Sequence, residues 1–292
     1  MTQHQATVVF VSSVLAVITF AIGLGLTLDD FRKLRAMPRA FAVGLAGQLL
    51  LLPALAFLIA CALDLAPPLA LGLILIAAAP GGAHSNLYAK LAGGNMPLSI
   101  GLTATSNALG VLTMPIVILL GTLAFSGEAK VIRVSPLETM LQLLFVLALP
   151  LALGLTLRHR AERWAKRLSP ILMTIAVLLL IFLIVMSVRS NGERVMQFAA
   201  LTGAPVLALN LGAMAAAYLL SVLSRLGRRE TITIVLEVGI QNATLAVGLA
   251  MSLSEDPAVL LPPIVYSLVV YFTGALFLGL ATLTARRSRA EA

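Results

Sequence analysis

Apolar runs of about 20 residues follow one another along nearly the whole of this chain, and that succession limits its fold more than any other feature. The runs cover residues 7–26, 40–63, 69–91, 97–124, 137–157, 170–187, 198–224, 231–253 and 258–284. Such a length matches the hydrocarbon thickness of a bilayer crossed by a helix, and barrel strands would alternate strictly instead. A backbone in lipid must satisfy its own polar groups, which leaves helices or closed barrels. With 292 residues, 60% hydrophobic and 11% charged, and a mean hydropathy of +1.04, the chain reads as an all-α polytopic membrane protein of nine transmembrane helices. It is expected to form one transmembrane unit over 1–292, without a soluble domain. The single cysteine, Cys61, lies inside an apolar run, excludes an internal disulfide and is expected as a small buried hydrophobe. The opening "MTQHQA" has no Lys or Arg, and the first run leads into "LTLDDFRKLR" rather than a small-residue cleavage site, so it is predicted to be a span and not a signal peptide.

The net charge of +8 is an orientation signal rather than a nucleic-acid surface. Sixteen of the 20 Lys and Arg fall on one side when the loops are counted alternately: Arg32, Lys33, Arg35, Arg39, Lys90, the five in "RHRAERWAKR", Arg225, Arg228, Arg229, Arg286, Arg287 and Arg289. Only Lys130, Arg133, Arg189 and Arg194 fall on the other. The amino terminus is therefore expected outside and the carboxyl terminus in the cytoplasm. The alanine- and arginine-rich composition suits a bacterial inner membrane. No nucleic acid and no obligate protein partner are expected, and the bilayer is the solvent.

Two of the runs are interrupted. "LGLILIAAAPGGAHSNLYAKLAGG" places Pro80, Gly81 and Gly82 in mid-run, followed by His84, Ser85 and Asn86. Proline removes a backbone donor and glycine lowers the cost of unwinding, so this segment is either kinked or broken. "TITIVLEVGIQNATLAVGLA" has the same plan, with Gly239 among Glu237, Gln241 and Asn242. The second interruption is five runs after the first, so the two spans run in opposite directions. Spans 1–4 and 6–9 then form an inverted repeat with span 5 unpaired, and paired interruptions of this kind point to a transporter's midplane site.

Eleven of the 12 acidic residues lie in loops or at span ends; Glu237 is the only carboxylate deep in a run. A charge at that depth costs at least about 2.5–3.5 kcal/mol unless it is neutralised. No Lys or Arg lies deep in any run, which leaves a proton or a bound metal cation as its partner. Ser99 and Thr103, four apart on one helix face, and Gln48, the one side-chain amide of the second run, add oxygen donors. Such donors around one carboxylate suit a small hard cation such as Na⁺. Bonding of Ser99 and Thr103 to their own helix is the alternative. Enzymatic activity is not expected: the chain has no H-E-x-x-H and no nucleophile–base set, and His4 and His159 lie at run edges.

"APGGAHSNLYAKLAGGNMPLSIGLT" and "EVGIQNATLA", with "GLTLDDFRKL" and "GQLLLLP" upstream, resemble the bile acid:sodium symporter family over nearly the whole chain. The resemblance implies a core domain with two crossing broken helices (spans 2–4 and 7–9, about 40–124 and 198–284) and a panel domain (spans 1, 5 and 6, about 7–26 and 137–187). It implies alternating-access symport of an organic anion, bile-acid-like or a small carboxylate such as pantoate or a keto acid, coupled to two Na⁺ ions. A proton-coupled or uncoupled anion carrier on the same fold is the alternative. The first Na⁺ site would fall on Ser85, Asn86, Ser99, Thr103 and Glu237. The second would fall on Gln48, Glu237 and Gln241 with the carbonyls of Val238 and Ile240. An anion is expected near Ala83, His84, Asn242 and Tyr271, where His84 either supplies a donor or caps and packs. Three departures stand out. Bacterial members have ten helices, and this chain resembles the animal members in starting at the second. A His-Asn pair that some bacterial members carry in the last helix is here Val270 and Tyr271. His84 replaces a small or neutral residue.

Overall fold

The computed structural model describes residues 3–27, 29, 34–125, 136–190, 192–254 and 256–290. Of the charges used above for orientation, Arg32, Lys33, Lys130 and Arg133 lie outside the described residues, as do the side chains of Arg194, Arg286, Arg287 and Arg289. Among the described residues the chain is helical without a β-strand. Helix α1 spans Gln3–Gly25 and α2 Pro38–Ala62. The third apolar run is divided into α3 (Pro67–Ala78) and α4 (Ala83–Leu91), followed by α5 (Met96–Phe125). Next come α6 (Pro136–Arg160), α7 (Glu162–Ser190) and α8 (Gly192–Leu223). The eighth run is divided into α9 (Arg228–Gly239) and α10 (Ala243–Leu253), and the chain continues into α11 (Leu261–Ala290). Among the described residues four segments, Pro38–Ala62, Met96–Phe125, Met196–Leu223 and Pro257–Ala281, are long and apolar enough by themselves to cross a membrane. The third run is thus broken and not merely kinked.

Local chemistry explains the boundaries. Prolines open α2, α3 and α6, where a missing N–H costs nothing. Glu230 accepts from the Gly227 amide at 2.7 Å and so caps α9, and Asn242 Oδ1 accepts from the Leu245 amide at 3.1 Å to start α10. In α2 the turn at Gly47–Leu51 is widened to a π-type turn: the Leu52 amide donates to the Gly47 carbonyl five residues back, and Pro53 has no N–H to offer. The span expected over 40–63 is thus one continuous helix with a wide turn that includes Gln48.

Helix α1 packs most extensively against α6 and α7. Gly23 and Gly154 make the closest approach: a Cβ on Gly154 would come within 2.9 Å of the Leu24 amide nitrogen. Lipid gives no hydrophobic reward for helix pairing, so small residues that let backbones touch do this work. Helix α8 packs against α9 and α11, and α2 against α3 and α8. Two apolar clusters result, one centred on Leu73, Ile76, Leu209, Ile234 and Tyr266, the other on Leu15, Ile18, Leu75, Met114 and Leu249. Cys61 is exposed and not buried as expected. It continues the outward stripe of Leu50, Ala54 and Leu58 on α2, because an apolar side chain in a lipid-facing helix gains nothing by turning inward.

Candidate functional site

The two interruptions meet at the centre of the fold. Helix α3 stops at Ala78 and α4 starts at Ala83, while α9 stops at Gly239 and α10 starts at Ala243. The extended residues between them pair antiparallel: the Gly82 amide donates to the Ile240 carbonyl at 3.2 Å and the Asn242 amide to the Pro80 carbonyl at 2.9 Å. Backbone groups released by each break are thus partly satisfied by the other. A side chain could not fit at Gly81, since a Cβ there would lie 2.8 Å from Gln48 Nε2 and 3.1 Å from Glu237 Oε2. The extended conformation at Gly82 is ordinary, and its Cβ would meet the Gln241 backbone at 3.2 Å.

Glu237 lies in the last turn of α9 and is fully buried. Its Oε1 accepts from Ser85 Oγ at 2.9 Å and from Ser99 Oγ at 2.5 Å, and its Oε2 accepts from Thr103 Oγ1 at 2.7 Å. Ser99 and Thr103 therefore reach across to another helix rather than back to their own. Asn86 joins them: its Oδ1 lies 2.7 Å from Ser99 Oγ, competing with Glu237 for that hydroxyl's one hydrogen, and its Nδ2 donates to Thr103 Oγ1 at 3.2 Å. All five residues expected for a first ion site form one hydrogen-bonded cluster drawn from α4, α5 and α9. No Lys or Arg among the described residues is paired with the carboxylate.

The residues expected for a second site also come together. Gln241 Nε2 donates to the carbonyls of Val238 at 2.8 Å and Glu237 at 3.2 Å, and its Oε1 accepts from Gln48 Nε2 at 3.2 Å. The Ile240 carbonyl accepts from Gly82. Gln48 Oε1 is buried with no hydrogen-bond partner, as are Thr105 Oγ1 and Asn210 Oδ1. Among the described residues no three His, Cys, Asp or Glu side chains gather, so the donors at this centre are hydroxyl, amide, carbonyl and one carboxylate.

The residues expected near an anion divide into two groups. His84 and Tyr271 are exposed and in contact: Tyr271 Oη lies 3.2 Å from His84 Nε2, and the rings meet edge to face with centroids 5.4 Å apart. Tyr88 donates to the Tyr271 carbonyl at 3.1 Å and anchors the pair. Asn242 is half-buried, with its oxygen capping α10. Ala83 opens α4, and its side chain lies outside the described part of the structure.

Four residues escaped the sequence reading. Ser106 Oγ accepts from the Gly81 amide at 3.4 Å, and Asn107 Nδ2 donates to the Thr103 carbonyl at 2.7 Å and to the Gly81 carbonyl at 3.5 Å. Asn210 Nδ2 and the Tyr266 hydroxyl both donate to the Gly239 carbonyl at 2.7 Å. Asn107 and Asn210 are amides inside apolar runs, the same signal that singled out Gln48.

Comparison with known proteins identifies the family. The probable sodium/metabolite cotransporter BASS1, chloroplastic, of Arabidopsis thaliana is 30% identical over 266 residues, covering 91% of this chain and 65% of that protein. The chain thus spans somewhat less than two thirds of the plant relative. The uncharacterized sodium-dependent transporter YocS of Bacillus subtilis is 27% identical over 267 residues, 91% of this chain and 81% of that one. The human ileal sodium/bile acid cotransporter is 26% identical over 272 residues, 91% and 76% of the two chains. All three names are those of sodium-linked transporters, and none is that of an enzyme. The pattern of the sodium bile acid symporter family matches residues 12–198, more than half of the sequence, and the chain belongs to that family of multi-pass membrane transporters.

Proposed function

We propose that the chain is a secondary active transporter that couples Na⁺ entry to symport of an organic anion by alternating access. The observation that carries this reading is Glu237: a buried carboxylate surrounded by three hydroxyls from two other elements, with no basic partner among the described residues. A charge at this depth needs a counter-charge, and oxygens of this kind suit a hard monovalent cation. Hydroxyl hydrogens that now point at the carboxylate rotate away when an ion takes their place, so the same oxygens serve both states. The first ion is held by Ser85, Asn86, Ser99, Thr103 and Glu237. The second is held by Gln48, Gln241, Glu237 and the carbonyls of Val238 and Ile240. The unpartnered Gln48 oxygen supports the second site, and each carbonyl in it keeps a lone pair beyond its present bond.

Bound Na⁺ neutralises Glu237 and ties α2, α4, α5 and α9 together, which orders both breaks and favours substrate binding with positive coupling. His84, Tyr271, Asn242 and the backbone at Ala83 receive the anion. The helices group as nine spans in an inverted repeat, the amino terminus outside and the carboxyl terminus inside. The core comprises α2–α5 and α8–α11, and α1, α6 and α7 form the panel, a division supported by the packing of α1 on α6 and α7.

The test is melting of the purified protein in detergent, titrated with Na⁺ against K⁺ at equal ionic strength. One ion at a hundred times its Kd stabilises by about 2.7 kcal/mol. Saturable Na⁺ stabilisation is expected, and Glu237→Gln abolishes both it and Na⁺-driven uptake while still folding. Full Na⁺-driven uptake by that variant would refute the assignment.

A further inference from the structure

The two breaks are secured by different means. At the first, the Gly81 amide and carbonyl have only long bonds, to Ser106 at 3.4 Å and Asn107 at 3.5 Å. At the second, the end of α9 releases the Gly239 carbonyl, and two buried side chains from different helices take it at 2.7 Å each: Asn210 from α8 and Tyr266 from α11. The Tyr266 oxygen also accepts from the Gln241 amide at 3.2 Å. One hydroxyl therefore bridges the residues on either side of Ile240, where a helical hydrogen bond is missing. Neither Asn210 nor Tyr266 is bonded to the Glu237 carboxylate, whose donors come from α4 and α5.

The consequence passes to the Gln241 side chain. With its backbone amide held by Tyr266, Gln241 turns its own amide back onto the carbonyls of Glu237 and Val238 and presents its oxygen to Gln48. Gln48 is thereby oriented with its remaining oxygen buried and unpartnered. We infer that Tyr266 and Asn210 are positioning residues for the second Na⁺ site: they set its affinity by fixing the backbone from Gly239 to Gln241, without touching the ion. This rests on the symport reading above. Preorganised ligands bind more tightly because the ordering is already done before the ion arrives.

The experiment is the same Na⁺ titration of melting temperature, in K⁺ of matching ionic strength, on the full chain carrying Tyr266→Phe. That variant keeps the buried ring and removes the hydroxyl. The Na⁺ midpoint is expected to rise about tenfold, the size of one lost hydrogen bond, and the titration to become shallower. A purely structural role lowers the melting temperature in K⁺ as well but leaves the midpoint in place. Asn210→Ala, read in parallel, shifts the midpoint in the same direction and replaces the first variant should that one not fold. A midpoint within twofold of the unmutated protein in the folded variants overturns the inference while leaving the symport reading intact. Failure of both variants to fold makes the pair a fold determinant and also overturns it. Absence of any Na⁺ response in the unmutated protein overturns the symport reading, and the positioning role with it.

Discussion

The halves that follow the two breaks, α4 and α10, begin from nearly equivalent crossings yet lie in opposite surroundings. In α10 every residue from Leu245 to Ala250 is buried, and the helix packs against α1, α3, α7 and α11. In α4, His84, Leu87, Lys90 and Leu91 are exposed, and the helix packs against α5, α9 and α11, with no comparable contact to α1, α6 or α7 among the described residues. Composition accounts for part of this. "ATLAVGLAMSL" has no charged or aromatic side chain, and Gly248 lets Leu15 of α1 come close enough that a Cβ would lie 2.8 Å from its methyl group. "AHSNLYAKL" carries a histidine, a tyrosine and a lysine that resist such closure. The contrast teaches that two similar breaks can divide the labour: one half seals against the α1 layer while the other leaves a face bearing the His84–Tyr271 pair.

The sharpest way to break the comparison is to add one methyl group at each crossing. Gly81→Ala drives a Cβ against Gln48 and Glu237, both parts of the proposed ion sites. Overpacking of this kind costs about 1–3 kcal/mol, so Na⁺ affinity in the melting titration should fall tenfold or more, by rough conversion. Gly239→Ala drives a Cβ onto Met214 Cγ, near the base of that side chain, and not onto a proposed ion ligand, so its cost should fall on the melting temperature and Na⁺ should weaken by only about twofold. Equal losses at the two positions would remove the asymmetry between the breaks. A smaller effect is expected on the open face. His84→Gln should weaken a carboxylate ligand about fivefold, roughly the worth of one hydrogen bond, with the Na⁺ midpoint unchanged. Cholate and pantoate, screened by melting in Na⁺ buffer, are the probes; an altered Na⁺ midpoint would place His84 in the ion site instead.

The smallest effect lies at the joint between α6 and α7. Lys166, in hydrogen bond and ion pair with Glu162 at 2.6 Å, and Arg158 at 3.6 Å hold the Glu162 carboxyl below the usual carboxylate range. A folded-state pKa that is depressed contributes stability that is present above the unfolded value, about 4.3, and lost as pH falls through the folded one. Because the pair is exposed, Glu162→Gln should lower the melting temperature by about 1 °C or less near neutral pH. That difference should shrink below about pH 4.

Glu237 was legible because a lone carboxylate in an apolar run has few explanations, and Pro80, Gly81 and Gly82 because their backbone chemistry is local. Helix bounds were less legible: Pro38, Pro67 and Pro136 sit at helix starts, whereas Pro115, Pro150, Pro170 and Pro205 lie inside helices. Asn210 and Tyr266 were not legible as partners. Each is one polar group in an apolar helix, and which carbonyl it meets depends on how α8 and α11 are rotated against α9. Cys61 shows the same limit from the other direction. Apolarity predicts burial in water, whereas in a bilayer it is compatible with either face of the helix.

By itself the sequence determined that the chain is apolar enough to span a membrane, where its runs are interrupted and which carboxylate lies deep in one of them, because hydropathy, proline and glycine sterics and the cost of a buried charge act within a few residues. Only the tertiary structure decided that Ser85, Ser99 and Thr103 converge on Glu237, that Gln48 reaches Gln241 from 193 positions away, and that Tyr266 and Asn210 close on Gly239. Those contacts join distant segments, and the packing and rotation of whole helices, with no local signal in the chain, set them.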